Sequence, residues 1–313
     1  NEYFSMAALL GDALNIPGIR NTDENSKILF IPQSEGAEAD GQYNRFIRTV
    51  LDEEGLSHIG IESPYIEDII YEDEDFLNSL YVILIAGDLV LTTPVSDRAR
   101  YLNQIKGMIQ RNELDIHSLK TIAWEISMIL QSAPPEKTVL AIGEPLVLYN
   151  DVLNSQILSE IENKSARIMY APLSEYLWQT WKDYILQYGN ERTKTLLQKL
   201  SVLEDYMSQI HQVLGEFSPY EEKADDLIRL ADASTGYYAG AFGRYREAKV
   251  LGLPASVSGV ITLSSMYENT GILLNTLHKG FDSDHQKPIL NLTFDGTRNE
   301  HDESKVESFL YYL

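Results

Sequence analysis

The 313-residue chain contains no cysteine. That absence excludes disulfides, thiolate nucleophiles, Cys-ligated zinc and Cys-ligated iron–sulfur clusters together. Basic residues are also scarce: 25 Lys and Arg stand against 47 Asp and Glu, for a net charge of -22. Such a surface repels phosphate backbones and anionic lipid, so neither nucleic acid nor a membrane is expected as a partner. The charge reads first as solubility, with an acidic docking face as the alternative. No stretch approaches the roughly 20 uninterrupted apolar residues of a membrane span. No basic segment followed by an apolar one marks a secretory signal. The expected location is the cytoplasm. The chain starts at Asn1 rather than Met, as a fragment of a longer polypeptide or a processed product would.

Several chemistry-bearing patterns are missing as well. There is no P-loop, G-x-G-x-x-G, H-E-x-x-H or G-x-S-x-G. His58, His117, His211, His278, His285 and His301 are dispersed, with no metal-ligand spacing. Gly236, Gly240 and Gly243 are interleaved with Tyr237, Tyr238, Phe242 and Tyr245. With no strand directly before them, close helix packing is a better reading than a phosphate loop. Trp178, Trp181 and Tyr184 recur at helical spacing and read as core or interface.

What is present is an ordinary globular balance, 44% hydrophobic and 23% charged. Apolar runs over 27–33, 58–62, 138–142, 167–171, 258–263 and 288–294 predict strands bounded by polar loops. Helical periodicity fills the intervals: 6–14, 42–54, 76–111, 116–132, 150–162, 174–188, 267–279 and 302–312, with 190–250 mostly helical. Strand–helix alternation implies parallel, right-handed, doubly wound sheets. The predicted class is α/β: two Rossmann-like units with a helical connector and insertions. Residues 1–70 form a partial first unit, 71–133 the connector, and 134–313 the second domain with a helical insertion at 190–250. The break at Ala133-Pro134-Pro135 marks the main boundary.

In such sheets ligands sit beyond the carboxyl ends of the strands. Those ends are Ser34–Asp40, Ser63-Pro64, Gly143–Pro145, Pro172–Ser174, Ser264–Thr270 and Asp295–Arg298. They supply the candidate cleft-lining residues Gly36, Gln42, Tyr43, Gly143, Glu144, Ser174, Ser265, Asn269 and Asp295.

Four segments together carry a family likeness: NEYFSMAALLGDAL, SEGAEADGQYNRFIRTVLDEEGL, SGVITLSSMYENTGILLNTL and LNLTFDGTRNEHDESKVESFLY. GEPLVLYNDVLN and APLSEYL add to it, while 65–132 and 190–235 add little. The chain resembles the 2-hydroxyacyl-CoA dehydratase D-component-like proteins. The nearest likeness is to the large acyl-CoA dehydratase activase-related proteins (CoA-substrate-specific enzyme activases), in which this region follows ATPase domains. The family pattern is similar to K-E-C-Y-P, then G-P-C-R-F-G-Q-Y, then P-F-x-C-M-P-G, whose cysteines hold a 4Fe–4S cluster between two Rossmann-like domains. The resemblance places those ligand positions on Tyr3, Glu38 and Glu268. Gly36, Gly41, Gln42 and Tyr43 remain around the second, and Gly271 follows the third.

The resemblance therefore implies the family's frame without its cluster, since oxygen ligands cannot replace thiolates on a low-potential iron centre. The expected function is a cluster-less, dehydratase-like binding or regulatory module, with acyl-CoA or a nucleotide-sized molecule as ligand. No cofactor is expected. One alternative is an enzyme using Glu38 and Glu268 for acid–base chemistry or with a divalent metal. Another is a structural partner of an ATPase (activase) domain in the same or another chain. The family's iron–sulfur dehydration is not expected, and no catalytic residue is assigned.

Overall fold

A computed structural model describes residues 4–16, 27–34, 39–132, 137–163, 166–233, 235, 242–266, 268–281, 287–297 and 300–313. The chain is mixed α/β, 64% helical, with two sheets that are parallel throughout.

The first unit comprises α1 (Phe4–Leu14), β1 (Ile28–Phe30), α2 (Tyr43–Glu53) and β2 (Gly60–Glu62). The strands pair in parallel, with Leu29 opposite Ile61. On α2, Tyr43, Ile47 and Leu51 repeat at helical spacing and form the buried stripe. They pack with Ile31 and Ile59 beneath Leu9 and Leu10 of α1. Gly55, at φ 74°, takes the left-handed turn that ends α2. The predicted strand over 27–33 is shorter than expected. Beyond Phe30, among the described residues, Gln33 alone makes a further bridge, to Tyr65.

Three helices follow: α3 (Glu74–Thr92), α4 (Val95–Gln110) and α5 (Ile116–Ser132). Asp73 caps α3 by accepting the Phe76 N–H at 2.8 Å. Pro94 divides the long helical pattern into α3 and α4, because it has no N–H to continue the first helix. By length and composition α3 could cross a membrane, a test that core helices of soluble proteins also meet. In this fold its stripe of Leu77, Tyr81, Ile85 and Leu89 is buried against neighbouring helices.

The main sheet contains β3 (Lys137–Gly143), β4 (Ala166–Tyr170), β5 (Gly259–Ser265) and β6 (Ile289–Phe294), in the order β4-β3-β5-β6. The connecting helices are α6 (Pro145–Leu148), α7 (Ile157–Asn163), α8 (Leu173–Gln187), α9 (Thr193–Leu214), α10 (Ala224–Arg229), α11 (Phe242–Leu251) and α12 (Asn269–Phe281), with α13 (Glu300–Tyr312) last. Alternation along the strands sends Val139, Ala141, Ile261 and Leu263 to one face, under Leu158, Ile161, Val306 and Phe309. Leu140, Ile142 and Val260 go to the other, with Tyr176, Ile228, Tyr245 and Ala248. Both faces are covered, which is why these strands read as continuous apolar runs.

A separate helical core joins α3, α5, α8 and α9 around Tyr81, Leu119, Ile126, Trp178, Trp181 and Leu203. The expected core role of Trp178 and Trp181 is met: their indole N–H groups donate to Leu200 O at 2.9 Å and Ile66 O at 2.8 Å. Helix α9 thus shares a core with the connector helices.

The helix expected over 150–162 is shorter, and α7 starts only at Ile157. The Asn150 side chain accepts the N–H groups of Val152 and Leu153, and Ser155 and Gln156 adopt left-handed φ values of 56° and 60°. Local side-chain bonding competes here with helix, and the apolar spacing gave no sign of it.

Candidate functional site

The order β4-β3-β5-β6 reverses direction between β3 and β5. That switch point is where open parallel sheets bind ligands. Here Gly143 closes β3, and a Cβ on it would lie 2.0 Å from Leu263 O. Only glycine lets β3 and β5 stay this close at the rim.

Glu144 follows and is buried. Its Oε2 accepts the Ser265 N–H at 2.9 Å, and its Oε1 accepts the Ser5 hydroxyl from α1. One carboxylate thus ties the first unit to the end of β5. Asp40 approaches the same group from the loop after β1. Burial raises its pKa, two Ser34 hydroxyl contacts of 2.8 Å oppose that rise, and the Glu144 charge adds to it. Asp40 therefore gains a proton more readily than an exposed aspartate.

Beside this cluster lies Glu268. Arg246 of α11 binds it through both terminal nitrogens, Nη1 to Oε2 at 3.1 Å and Nη2 to Oε1, and both side chains are almost fully buried. Gly271 makes room for the pair: a Cβ there would fall 2.8 Å from Glu268 Oε2 and 2.6 Å from Ser264 Cβ. Among the described residues a small pocket of about 10 Å³ lies here, lined by Gly143, Tyr149, Ala171, Tyr176, Tyr245 and Arg246. It suits about one water molecule. Tyr149 borders it with a hydroxyl bond to Ala171 O. Burial pushes the Tyr149 and Tyr245 phenols well above the usual range, so both stay neutral donors.

The residues expected from sequence are partly brought together. Gly143, Glu144, Ser265 and Glu268 converge at the ends of β3 and β5. Ser174 does not join them: it is fully buried, and its N–H and hydroxyl donate to Asp88 of α3 at 3.1 and 2.6 Å. Tyr43 belongs to the first unit's core, whereas Gln42 is exposed beside Arg45. Asn269 is exposed at the start of α12. Asp295 is exposed beyond β6, accepting from Thr297. Tyr3, Gly36 and Glu38 lie outside the described residues, as do Gly236 and Gly240. Among the described residues no group of three or more His, Asp or Glu side chains is placed to hold a metal ion.

Ser5, Asp40 and Arg246 complete the cluster and were not singled out from sequence. Asp40 could have been, since it falls within a strand-end loop. Ser5 and Arg246 reach the site only through tertiary contacts. No known family, curated protein or solved structure matches the chain.

Proposed function

We propose that the chain is a cluster-less module of the 2-hydroxyacyl-CoA dehydratase type, built to bind or regulate rather than to carry out iron–sulfur dehydration. The observation that carries this reading is the Arg246–Glu268 pair. At the family's third ligand position stands a carboxylate already engaged on both oxygens by a buried guanidinium. A bidentate pair of this kind fixes the loop after β5 as a metal ligand would, without redox chemistry. The occupied Glu268 also counts against the alternative of acid–base or metal-assisted chemistry shared with Glu38.

The small size of the described pocket bears on the ligand. A cavity of about 10 Å³ cannot seat an acyl-CoA or a nucleotide. On this reading such a ligand enters by parting Ser5 of α1 from Glu144, so binding opens the joint between the two units. Movement of the first unit would be what a neighbouring ATPase domain senses, in the cytoplasm.

The test has two arms. Protein purified anaerobically from iron-supplemented cells is assayed for iron and labile sulfide; stoichiometric iron would refute the cluster-less reading. Calorimetry with CoA, acetyl-CoA, ADP and ATP addresses binding. Micromolar heat with one of them, weakened by Glu144→Ala, supports the proposal. Absence of binding to all four removes the ligand and leaves a purely structural partner.

A further inference from the structure

The fourth strand of the main sheet ends it. Among the described residues no strand pairs with the outer edge of β6. Its register fixes which groups lie there. Val260 N–H donates to Pro288 O, and Met266 N–H donates to Phe294 O. In a parallel ladder the even-numbered residues of β6 therefore turn their N–H and C=O toward β5. The backbone groups of Ile289, Asn291 and Thr293 turn outward. Beside them, between β6 and α13, runs an open groove of about 620 Å³ lined by Leu290, Phe309, Tyr312 and the small Ser304 and Ser308. Exposed edges of this kind invite another strand.

We infer that this edge is the docking surface for a second copy of the chain, paired antiparallel through β6 about a two-fold axis at Asn291. In that register Asn291 faces its own counterpart, and Ile289 faces Thr293 of the other copy. The outward N–H and C=O groups of all three residues are satisfied reciprocally. One step further out, Lys287 faces Asp295 of the other copy, and Asp295 faces its Lys287. Charge thus selects the register: in a chain with a net charge of -22 the edge carries one cation and one anion, each four residues from Asn291. Residues 287, 289, 291, 293 and 295 share one side of the strand, so each Lys–Asp pair lies directly cross-strand. Asp295 is exposed and accepts from Thr297, while Lys287 donates to Pro254 O at the near end of the strand. The two grooves face each other across the axis, and Tyr312, 74% exposed, gains apolar cover. Two four-stranded sheets become one of eight strands.

Sedimentation equilibrium on the full chain tests this. A concentration-dependent dimer is expected. Thr293→Pro should weaken it by roughly a hundredfold with the melting temperature little changed, because that N–H has no partner among the described residues and edge strands tolerate proline. Lys287→Asp and Asp295→Lys should each weaken the dimer by about fivefold or more, because each places like charges across the axis twice, and the double variant should recover it. A monomer at every concentration, a dimer indifferent to a folded Thr293→Pro protein, or a double variant no tighter than the single ones overturns the inference.

Discussion

Asp88 sits near the end of α3 and accepts four hydrogen bonds: Leu173 N–H at 2.9 Å, Ser174 N–H at 3.1 Å, Ser174 hydroxyl at 2.6 Å and Tyr220 hydroxyl at 3.1 Å. It caps α8 from another helix and so holds the helical core against the sheet. Burial is the dominant influence and pushes its pKa from 3.8 to about 6, despite the hydrogen bonds that favour the anion. The folded protein therefore holds a proton at Asp88 more tightly than the unfolded chain. The stability this contributes is complete below about pH 4 and is lost as pH rises through about 6. A difference of about two units at 1.36 kcal/mol per unit gives about 3 kcal/mol lost between pH 4 and 7. Asn cannot titrate, so the stability difference between the wild-type chain and Asp88→Asn should fall by about 3 kcal/mol over that interval. The remaining acids whose pKa burial raises, among them Asp40, Glu162, Asp183 and Glu204, titrate in both proteins and cancel. Urea unfolding followed by the fluorescence of the buried Trp178 and Trp181 reads the core that Asp88 anchors. A difference constant to within about 0.5 kcal/mol across the range, or one that grows with pH, would refute the assignment.

Two other substitutions probe the rim of the sheet. Glu268→Gln removes the carboxylate charge held by both terminal nitrogens of the buried Arg246 and should cost about 3–5 kcal/mol in urea unfolding, whereas Glu268→Leu combined with Arg246→Met should recover most of that loss. Equal stability of Glu268→Gln and wild type would mean that the pair does not hold the loop. Gly143→Ala places a Cβ 2.0 Å from Leu263 O and should cost about 4 kcal/mol or more, visible as a loss of soluble protein or a collapse of the urea midpoint.

The alternation that defines the fold was legible because buried parallel strands leave an unmistakable mark. Val139–Ile142 is apolar without interruption and Val260–Leu263 is broken only by Thr262, since both faces of the sheet are covered. The strand-end rule then pointed to Gly143, Glu144 and Ser265, while Glu268 came from the family resemblance. The rule could not separate these from Ser174 and Asp295, which also follow strands but are bound elsewhere, to Asp88 and Thr297. Nor could it show Glu268 engaged, because Arg246 lies on a helix with no amphipathic period to read. The turn through Ser155 and Gln156 escaped for a local reason: left-handed backbone at residues other than glycine has little sequence signature.

That helix, α11, has a consequence of its own. Arg244, Arg246 and Lys249 are all buried. Arg244 meets Asp183 and Asp232, Arg246 meets Glu268, and Lys249 meets Glu175 and Glu221. An apolar helix in this seat could slide by a residue or roll slightly and still bury its surface. For α11 a shift of one residue swings each cation about 100° away from its carboxylate and strands it in the interior. The ion pairs act as a key with several teeth: they admit one rotation and one depth of insertion. The charge that makes this segment look like surface in the sequence is what gives it a single address in the core.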